Sequence, residues 1–379
     1  MTFEKRCWAE IDLGIIRQNF ENLQKMAQGV EVFAVVKGDA YGHGDTVVSA
    51  ELEALGAKKF AVACFEEGLR IRKSGIMAPI LILGYTPPEA APALAVNNLM
   101  PAVHNLQDAK ALSLCAEQNK VTVHVHLKAD TGMSRIGFEA AKDVKQAAWE
   151  MAQVAAMPNL KVDGMFTHFS VADSLNEGDI AYTRWQFDVF KRVIEEYEKL
   201  AQPLPLYHCA NSGTVQSYPE MFMGAVRPGT LLFGFAPNEE IPCEEVSPAM
   251  VLKATVSQVK EIEAGTFVSY GRTFEAKQPI KLASVTAGYA DGYPRLMSSK
   301  GIMSVNGKSA PVVGRVCMDQ CMIDVTACGD VKSGDEVVIY GADAADTIYE
   351  VAEKACTVVQ DIVCAPSARV ARVYKNAKV

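Results

Sequence analysis

The chain has 379 residues, which at roughly 150 residues per domain is about two domains and excludes a single small module. Hydrophobic residues make up 49% and charged residues 22%, so burial on folding can offset chain entropy and intrinsic disorder is excluded. Acidic residues outnumber basic ones, 45 to 37, and the net charge of −8 opposes counterion-driven binding to nucleic acid or an anionic membrane surface. The N-terminal MTFEKRCWAEIDL lacks the apolar stretch of a secretory leader, and no uncharged apolar run reaches the roughly 18 residues of a membrane helix. Ten cysteines without a C-x-x-C pair read as reduced, mostly buried thiols, so the expected location is the cytoplasm.

From residue 30 to about 235, short apolar runs alternate with helix-length amphipathic ones. Strands are predicted at 32–37, 60–64, 79–84, 99–104, 122–130, 162–169, 204–210 and 225–235. The clearest helix is 183–201, where Phe190, Val193, Ile194, Tyr197 and Ala201 repeat at helical spacing. Runs such as Val32-Phe33-Ala34-Val35-Val36 are continuous in apolar residues, as parallel strands covered by helices require. Eight such units imply an α/β fold, a (β/α)8 TIM barrel over 1–238; a doubly wound open sheet is the alternative, because periodicity does not encode closure. An acidic, Pro-containing stretch at 239–248 then opens a mainly β C-terminal domain, 239–379. Within it Asn306-Gly307 marks a hairpin, since a type I′ turn needs positive φ at both central residues, and 347–355 is the one good helix candidate.

The first barrel strand ends in Lys37 and runs into Gly38-Asp39-Ala40-Tyr41-Gly42-His43-Gly44. Taken alone, Lys37 reads as a solvated rim residue. At the C-terminal end of a barrel strand, however, an amine flanked by apolar residues has its charged form disfavoured and suits Schiff-base chemistry. Along 122–130, His124, His126, Lys128 and Asp130 alternate with Val123, Val125, Leu127 and Ala129, which sends the polar set into the barrel. The His-x-His pair reads either as two metal ligands, one short of a catalytic zinc site, or as a satisfied polar layer under the rim. The second reading is preferred, with no metal expected.

The segment Ala34-Val35-Val36-Lys37-Gly38-Asp39-Ala40-Tyr41-Gly42-His43-Gly44 resembles the pyridoxal-phosphate signature of the alanine racemase family, fold type III. Further family segments follow in order: Trp8-Ala9-Glu10-Ile11-Asp12-Leu13, Lys128-Ala129-Asp130-Thr131-Gly132-Met133-Ser134-Arg135-Ile136-Gly137, Thr167-His168-Phe169, Ala210-Asn211-Ser212 and Arg227-Pro228-Gly229 in the first domain. Ser269-Tyr270-Gly271, Gly288-Tyr289-Ala290-Asp291-Gly292 and Gly314-Arg315-Val316-Cys317-Met318-Asp319-Gln320 continue them in the second. The resemblance spans almost the whole chain.

It implies a pyridoxal 5′-phosphate enzyme, an isomerase interconverting L- and D-alanine for peptidoglycan supply. Lys37 would hold the cofactor and act as one base, and Tyr270, from the partner subunit of a head-to-tail homodimer, would act as the other on the opposite face. A tyrosine with an ordinary pKa near 10 needs cations to act so, and His168, Arg135 and Arg227 match positions around it. Arg227, which only donates, would keep the cofactor ring nitrogen unprotonated and disfavour transamination. Tyr41, Ser212 and the backbone near Gly229 and Thr230 would take the phosphate. Arg135 and Met318 would bind the substrate carboxylate, Tyr289 with Asp173, Arg295 and Arg315 would line the approach to the site, and Lys128 matches a lysine carbamylated in many members. Where many members place a phosphate-touching tyrosine, this chain has Gln360, whose amide would admit a hydroxymethyl side chain and so opens serine as a substrate. A barrel-only pyridoxal-phosphate homeostasis protein is the alternative of another class, opposed by residues 240–379; a metal hydrolase built on His124 and His126 is another.

Overall fold

The computed structural model describes residues 6–378, which form two compact units. One comprises Ile16–Ala40 and Asp45–Ser247, the other residues 6–15, Tyr41–Gly44 and Pro248–Lys378. These extents depart from a division at 238/239. The chain crosses between units after Ser247, and the first strand, β1 (Cys7–Asp12), belongs with the C-terminal residues.

In the first unit lie β2 (Glu31–Val35), β3 (Lys59–Val62), β4 (Ile80–Ile82), β5 (Leu99–Val103), β6 (Val123–Lys128), β7 (Leu160–Phe166), β8 (Tyr207–His208) and β9 (Ala225–Val226). They pair in the order β8-β7-β6-β5-β4-β3-β2-β9, each pair parallel. A parallel bridge between Ala210 and Val226 joins the ends of this order, so the sheet closes into a (β/α)8 barrel and the open-sheet alternative falls. All eight expected strands are present, each of them shorter. The last, expected over 225–235, is only Ala225–Val226 followed by the 3-10 turn Thr230–Phe233. Pro228 offers no ladder N–H and Gly229 sits at φ −108°, ψ −82°, so the chain leaves the sheet there. The helix expected at 183–201 is Glu177–Glu198. It starts earlier because Asn176 caps it, its side chain accepting from Gly178 N at 2.8 Å, and Val189, Phe190, Val193, Ile194 and Tyr197 form its buried stripe.

Lys37–Tyr41 makes a turn of the opposite hand. Gly38, Asp39, Ala40 and Tyr41 have φ of 62°, 55°, 54° and 52°, a left-handed run that costs roughly 1–2 kcal/mol for each non-glycine residue. Such a run persists only where surrounding bonds over-determine it.

The second unit is built on β10 (Met250–Ile262), β11 (Phe267–Val268), β12 (Phe274–Glu275), β13 (Ile280–Val285), β14 (Ile302–Val305), β15 (Lys308–Pro311), β16 (Cys321–Asp324), β17 (Glu336–Tyr340) and β18 (Ala371–Lys375). Its main sheet runs β15-β14-β17-β10-β1-β18, with β13 pairing both β10 and β16, and β11 with β12 form a separate hairpin. β1 pairs antiparallel with β10 and parallel with β18. The β14–β15 turn is the expected one: Asn306 at φ 52° and Gly307 at φ 70°. Ile262, Val268, Ala276, Ile280, Leu282 and Val313 form a buried apolar cluster. Helix Ile348–Lys354 begins at a Thr347 capping box with Glu350, and a second helix, Val359–Cys364, was not expected from the sequence.

All ten cysteines are free thiols, and only Cys7, Cys209, Cys321 and Cys328 are buried, fewer than expected. No helix among the described residues is long and apolar enough to cross a membrane.

Candidate active site

Lys37 stands two residues beyond the C-terminal end of β2, on the barrel rim. Lys128 closes β6, is 4% exposed, and places Nζ 5.4 Å from the centre of the Phe166 ring. Burial, then the nearby charges of Arg135 and Arg227, pull its pKa down to about 7. His168, just past β7, is held well below the ordinary imidazole value by burial and next by Arg227, Arg135, Lys128 and Lys37. A neutral imidazole therefore stands among two arginines and two lysines, all of them candidates from the sequence. Asp130 shapes the loop that carries Arg135, its Oδ1 accepting from Gly132 N and Ser134 N, each at 3.0 Å.

Arg227 follows β9 and is 4% exposed. Its Nη1 donates to His208 Nδ1 at 2.7 Å, and Nη2 donates to the carbonyls of Thr167 at 2.7 Å and Cys209 at 3.1 Å. Three of five N–H donors are thus spent on the barrel. Burial draws its pKa to about 10, which still leaves it charged at neutral pH. Because arginine only donates, His208 Nδ1 must accept, so the His208 proton lies on Nε2 and points to His126 Nδ1 at 3.0 Å. Phe33 and Phe166 stack on the two sides of His208, each at 5.1 Å between centroids. Burial keeps His208 neutral and draws His126 to about 4.

His126 is therefore the satisfied polar layer expected under the rim, and His208, which the sequence reading passed over, is its middle member. His124 bonds instead to Asp163, Nδ1 to Oδ2 at 2.5 Å. Among the described residues no group of three or more His, Cys, Asp or Glu is placed to hold a metal ion.

Ser212, Gly229 and Thr230 meet in a second cluster. Asn211 caps helix Ser212–Ser217, its side chain accepting from Thr214 N at 3.0 Å, and Gly229 N donates to Ser212 Oγ at 2.8 Å. Thr230 opens the following turn, and its Oγ1 is buried without a hydrogen-bond partner. An orphaned buried hydroxyl beside backbone N–H groups suits a phosphate, whose oxygens accept from both.

In the second unit Tyr270 is 70% exposed on the turn Tyr270–Arg272. The chain enters that turn through Ser269 at φ 67°, ψ −176°, nearly glycine-only backbone, fastened by Ser269 Oγ donating to Arg315 O at 2.7 Å. Tyr289 and Met318 are also exposed and share one loop assembly. Tyr289 N donates to Cys317 O at 3.0 Å and Ala290 N to Met318 O at 2.9 Å, while a Cβ on Gly288 would collide with both carbonyls. Asp291, fully buried, ties the assembly down by pairing with Arg6 and with Arg369 Nε at 2.7 Å and accepting from Gly288 N at 2.9 Å. Gln360 is half-buried on helix Val359–Cys364. That helix packs on Tyr41–Gly44: Gly42 leaves no room for a Cβ against the Val363 carbonyl, and Arg372 Nε donates to Gly42 O at 3.0 Å. Arg315, with Nε buried and unpartnered, and Arg295 also lie in this unit, whereas Asp173 lies in the barrel unit.

Family models describe the same two-part chain. The alanine racemase N-terminal domain matches residues 11–237 and the alanine racemase C-terminal domain matches 249–374. The chain is 42% identical to the alanine racemase of Desulforamulus reducens over 97% of its own length and 98% of that protein's. It is 39% identical to alanine racemase 1 of Clostridium acetobutylicum, over 98% and 96%. Among solved structures, alanine racemase of Clostridium difficile 630 superposes with a TM-score of 0.92 at 32% identity, covering 99% of this chain and 97% of that one. The Bacillus anthracis alanine racemase with bound L-Ala-P gives 0.90 at 32% identity, covering 100% and 97%. This chain belongs to the alanine racemase family.

Proposed function

We propose that this chain is a pyridoxal 5′-phosphate-dependent racemase that interconverts L- and D-alanine in the cytoplasm, as a head-to-tail homodimer, and so supplies D-alanine for peptidoglycan. The observation that carries the reading is the cation-ringed neutral His168 beside Lys37 at the rim of the barrel. Ser212, Gly229, Thr230 and Tyr41 would hold the phosphate, and the orphaned Thr230 hydroxyl supports that assignment. When bound, the cofactor acidifies the Cα proton of an attached amino acid by drawing electrons from it.

Lys37 anchors the cofactor and moves the proton on one face of Cα. Tyr270 of the partner subunit moves it on the other, and its exposure leaves the ring available to a neighbouring chain. Arg135 pairs with the substrate carboxylate, joined by Met318 of the partner subunit. His168, kept neutral, can exchange a proton with the second base, and the cations around it favour the phenolate. Purified protein with pyridoxal 5′-phosphate, assayed by chiral chromatography, should bring either enantiomer of alanine to an equal mixture. No approach to that mixture from either side overturns the reading.

Lys128 carries a prediction on pH. An amine with a pKa near 7 is about half unprotonated at neutral pH, and only the unprotonated form adds to CO2. Its nitrogen attacks the carbon, a C=O electron pair moves to oxygen and the nitrogen releases a proton, leaving a carbamate that offsets Arg135 and Arg227. With 13C-bicarbonate, a carbamate resonance should appear, be absent in Lys128→Met, and fade as pH falls below about 7. A spectrum identical in the two proteins removes the carbamate.

Gln360 supports serine as a second substrate, since by the family pattern it stands where many members place a phenol ring, and its amide would offer hydrogen bonds to a hydroxymethyl side chain. Gln360→Tyr should lower kcat/KM for serine relative to alanine by about tenfold, the worth of one buried hydrogen bond. An unchanged ratio, with serine already poor in the parent chain, leaves alanine alone.

A further inference from the structure

We propose that Glu67 is a positioning residue for Lys37: with Arg70 three residues on, it grips both ends of the left-handed turn on which that lysine stands. The proposal rests on the reading of Lys37 given above. Glu67 Oε1 accepts from Gly38 N at 2.7 Å, immediately after Lys37, and Oε2 accepts from Ala63 N at 2.8 Å. One carboxylate thereby ties the backbone leaving β2 to the backbone leaving its neighbour β3, at the catalytic end of the barrel. The exit of the turn is fixed in turn by Asp39 Oδ1, which accepts from Asp45 N at 3.0 Å. Buried Asp45 accepts from Arg70 Nε at 2.9 Å and also pairs with Arg70 Nη2. Helix Phe65–Lys73 carries both Glu67 and Arg70, so one face of one helix holds both ends of the turn.

The cost to that helix shows where the carboxylate is committed. Its N-cap, Cys64, makes no side-chain cap bond. Glu67 occupies the third helical position, from which a glutamate commonly reaches back to the N-cap N–H, yet both its oxygens go to Ala63 and Gly38. Only a carboxylate offers two adjacent acceptors to two N–H groups. A glutamine would keep one of the bonds and turn an amide N–H2 toward the other donor.

The test follows loss of pyridoxal 5′-phosphate from dialysed holoenzyme through the visible absorption that depends on Lys37, together with kcat and KM for alanine. Glu67→Gln should release the cofactor about tenfold faster and lower kcat about tenfold, as expected for one lost charge-assisted hydrogen bond, with KM for alanine unchanged within about twofold. Glu67→Asp, which keeps the charge one methylene shorter, should fall between, and serves where Glu67→Gln yields no folded protein. Glu53→Gln is the control, because Glu53 accepts from Met77 N and Ala78 N through one oxygen, Oε1, which glutamine retains, away from Lys37. It should leave cofactor release and kcat unchanged. Release and kcat in Glu67→Gln equal to those of Glu53→Gln overturn the clamp, while absence of a Lys37-dependent absorption in the parent holoenzyme overturns the reading of Lys37 itself.

Discussion

Lys37→Ala and Tyr270→Phe should each lower racemisation by about 10²–10⁴-fold, the usual contribution of one positioned acid–base group, yet they should fail differently. On the proposed roles, Tyr270→Phe should leave Lys37 able to exchange the Cα proton of one enantiomer with deuterated solvent and abolish exchange for the other. Lys37→Ala should also lose the proposed covalent anchor, so exchange should stop for both. The two residues lie in different units, Lys37 on the barrel rim and Tyr270 on an exposed turn of the β-rich unit. If each site takes its lysine from one protomer and its tyrosine from the other, mixing the two inactive variants restores activity. Half the redistributed dimers would be hybrids with one intact site in two, so about a quarter of the parent activity should return. Full two-way activity in Tyr270→Phe overturns the second base, and no recovery on mixing overturns the shared site.

Whether such a site could be read from the chain depended on how local its determinants are. The eight barrel strands were legible because a parallel strand covered on both faces reads as a continuous apolar run, as Val32 to Val36 does. Closure was not, since the bridge between Ala210 and Val226 is a pairing, and periodicity records only which face is apolar. The place of β1 was hidden for the same reason: Ala9 finds its antiparallel partner at Leu252, beyond any local window. Helix Val359–Cys364 has six residues, too few for a 3.6-residue repeat to show.

The site divides along the same line. Lys37 and its Gly-rich loop form a contiguous motif, so the sequence singles the residue out, but the hand of the turn was not legible, because Asp39, Ala40 and Tyr41 are not glycines. The bonds that hold it come from Glu67 and Arg70, on a helix without a signature of its own. Likewise His208 meets Arg227 only after the barrel has closed. The net charge of −8, set against a rim carrying Lys37, Lys128, Arg135 and Arg227, marks how far local placement departs from composition.

Arg227 carries the second large effect, because it satisfies three barrel acceptors and is also the residue proposed to face the cofactor ring nitrogen. Arg227→Lys keeps the charge but places it on a single nitrogen, which cannot reach His208 Nδ1 and the carbonyls of Thr167 and Cys209 together. Each buried acceptor left unpaired costs about 1–3 kcal/mol, so this variant should lose stability first, read as a lower Tm with cofactor present and absent. Arg227→Glu tests the electronic role. A carboxylate there would keep a bound cofactor's ring nitrogen protonated, which would strengthen electron withdrawal and open transamination, in which alanine's amino group passes to the cofactor and its carbon skeleton leaves as pyruvate. Racemisation should fall by about 10²–10³-fold, the range for removing one aimed electrostatic group, while pyruvate from alanine rises relative to racemised product. The two variants separate the roles: a fall in rate that follows Tm in both, with no pyruvate from Arg227→Glu, would leave Arg227 as a strut for His208 and remove its part in directing the proton.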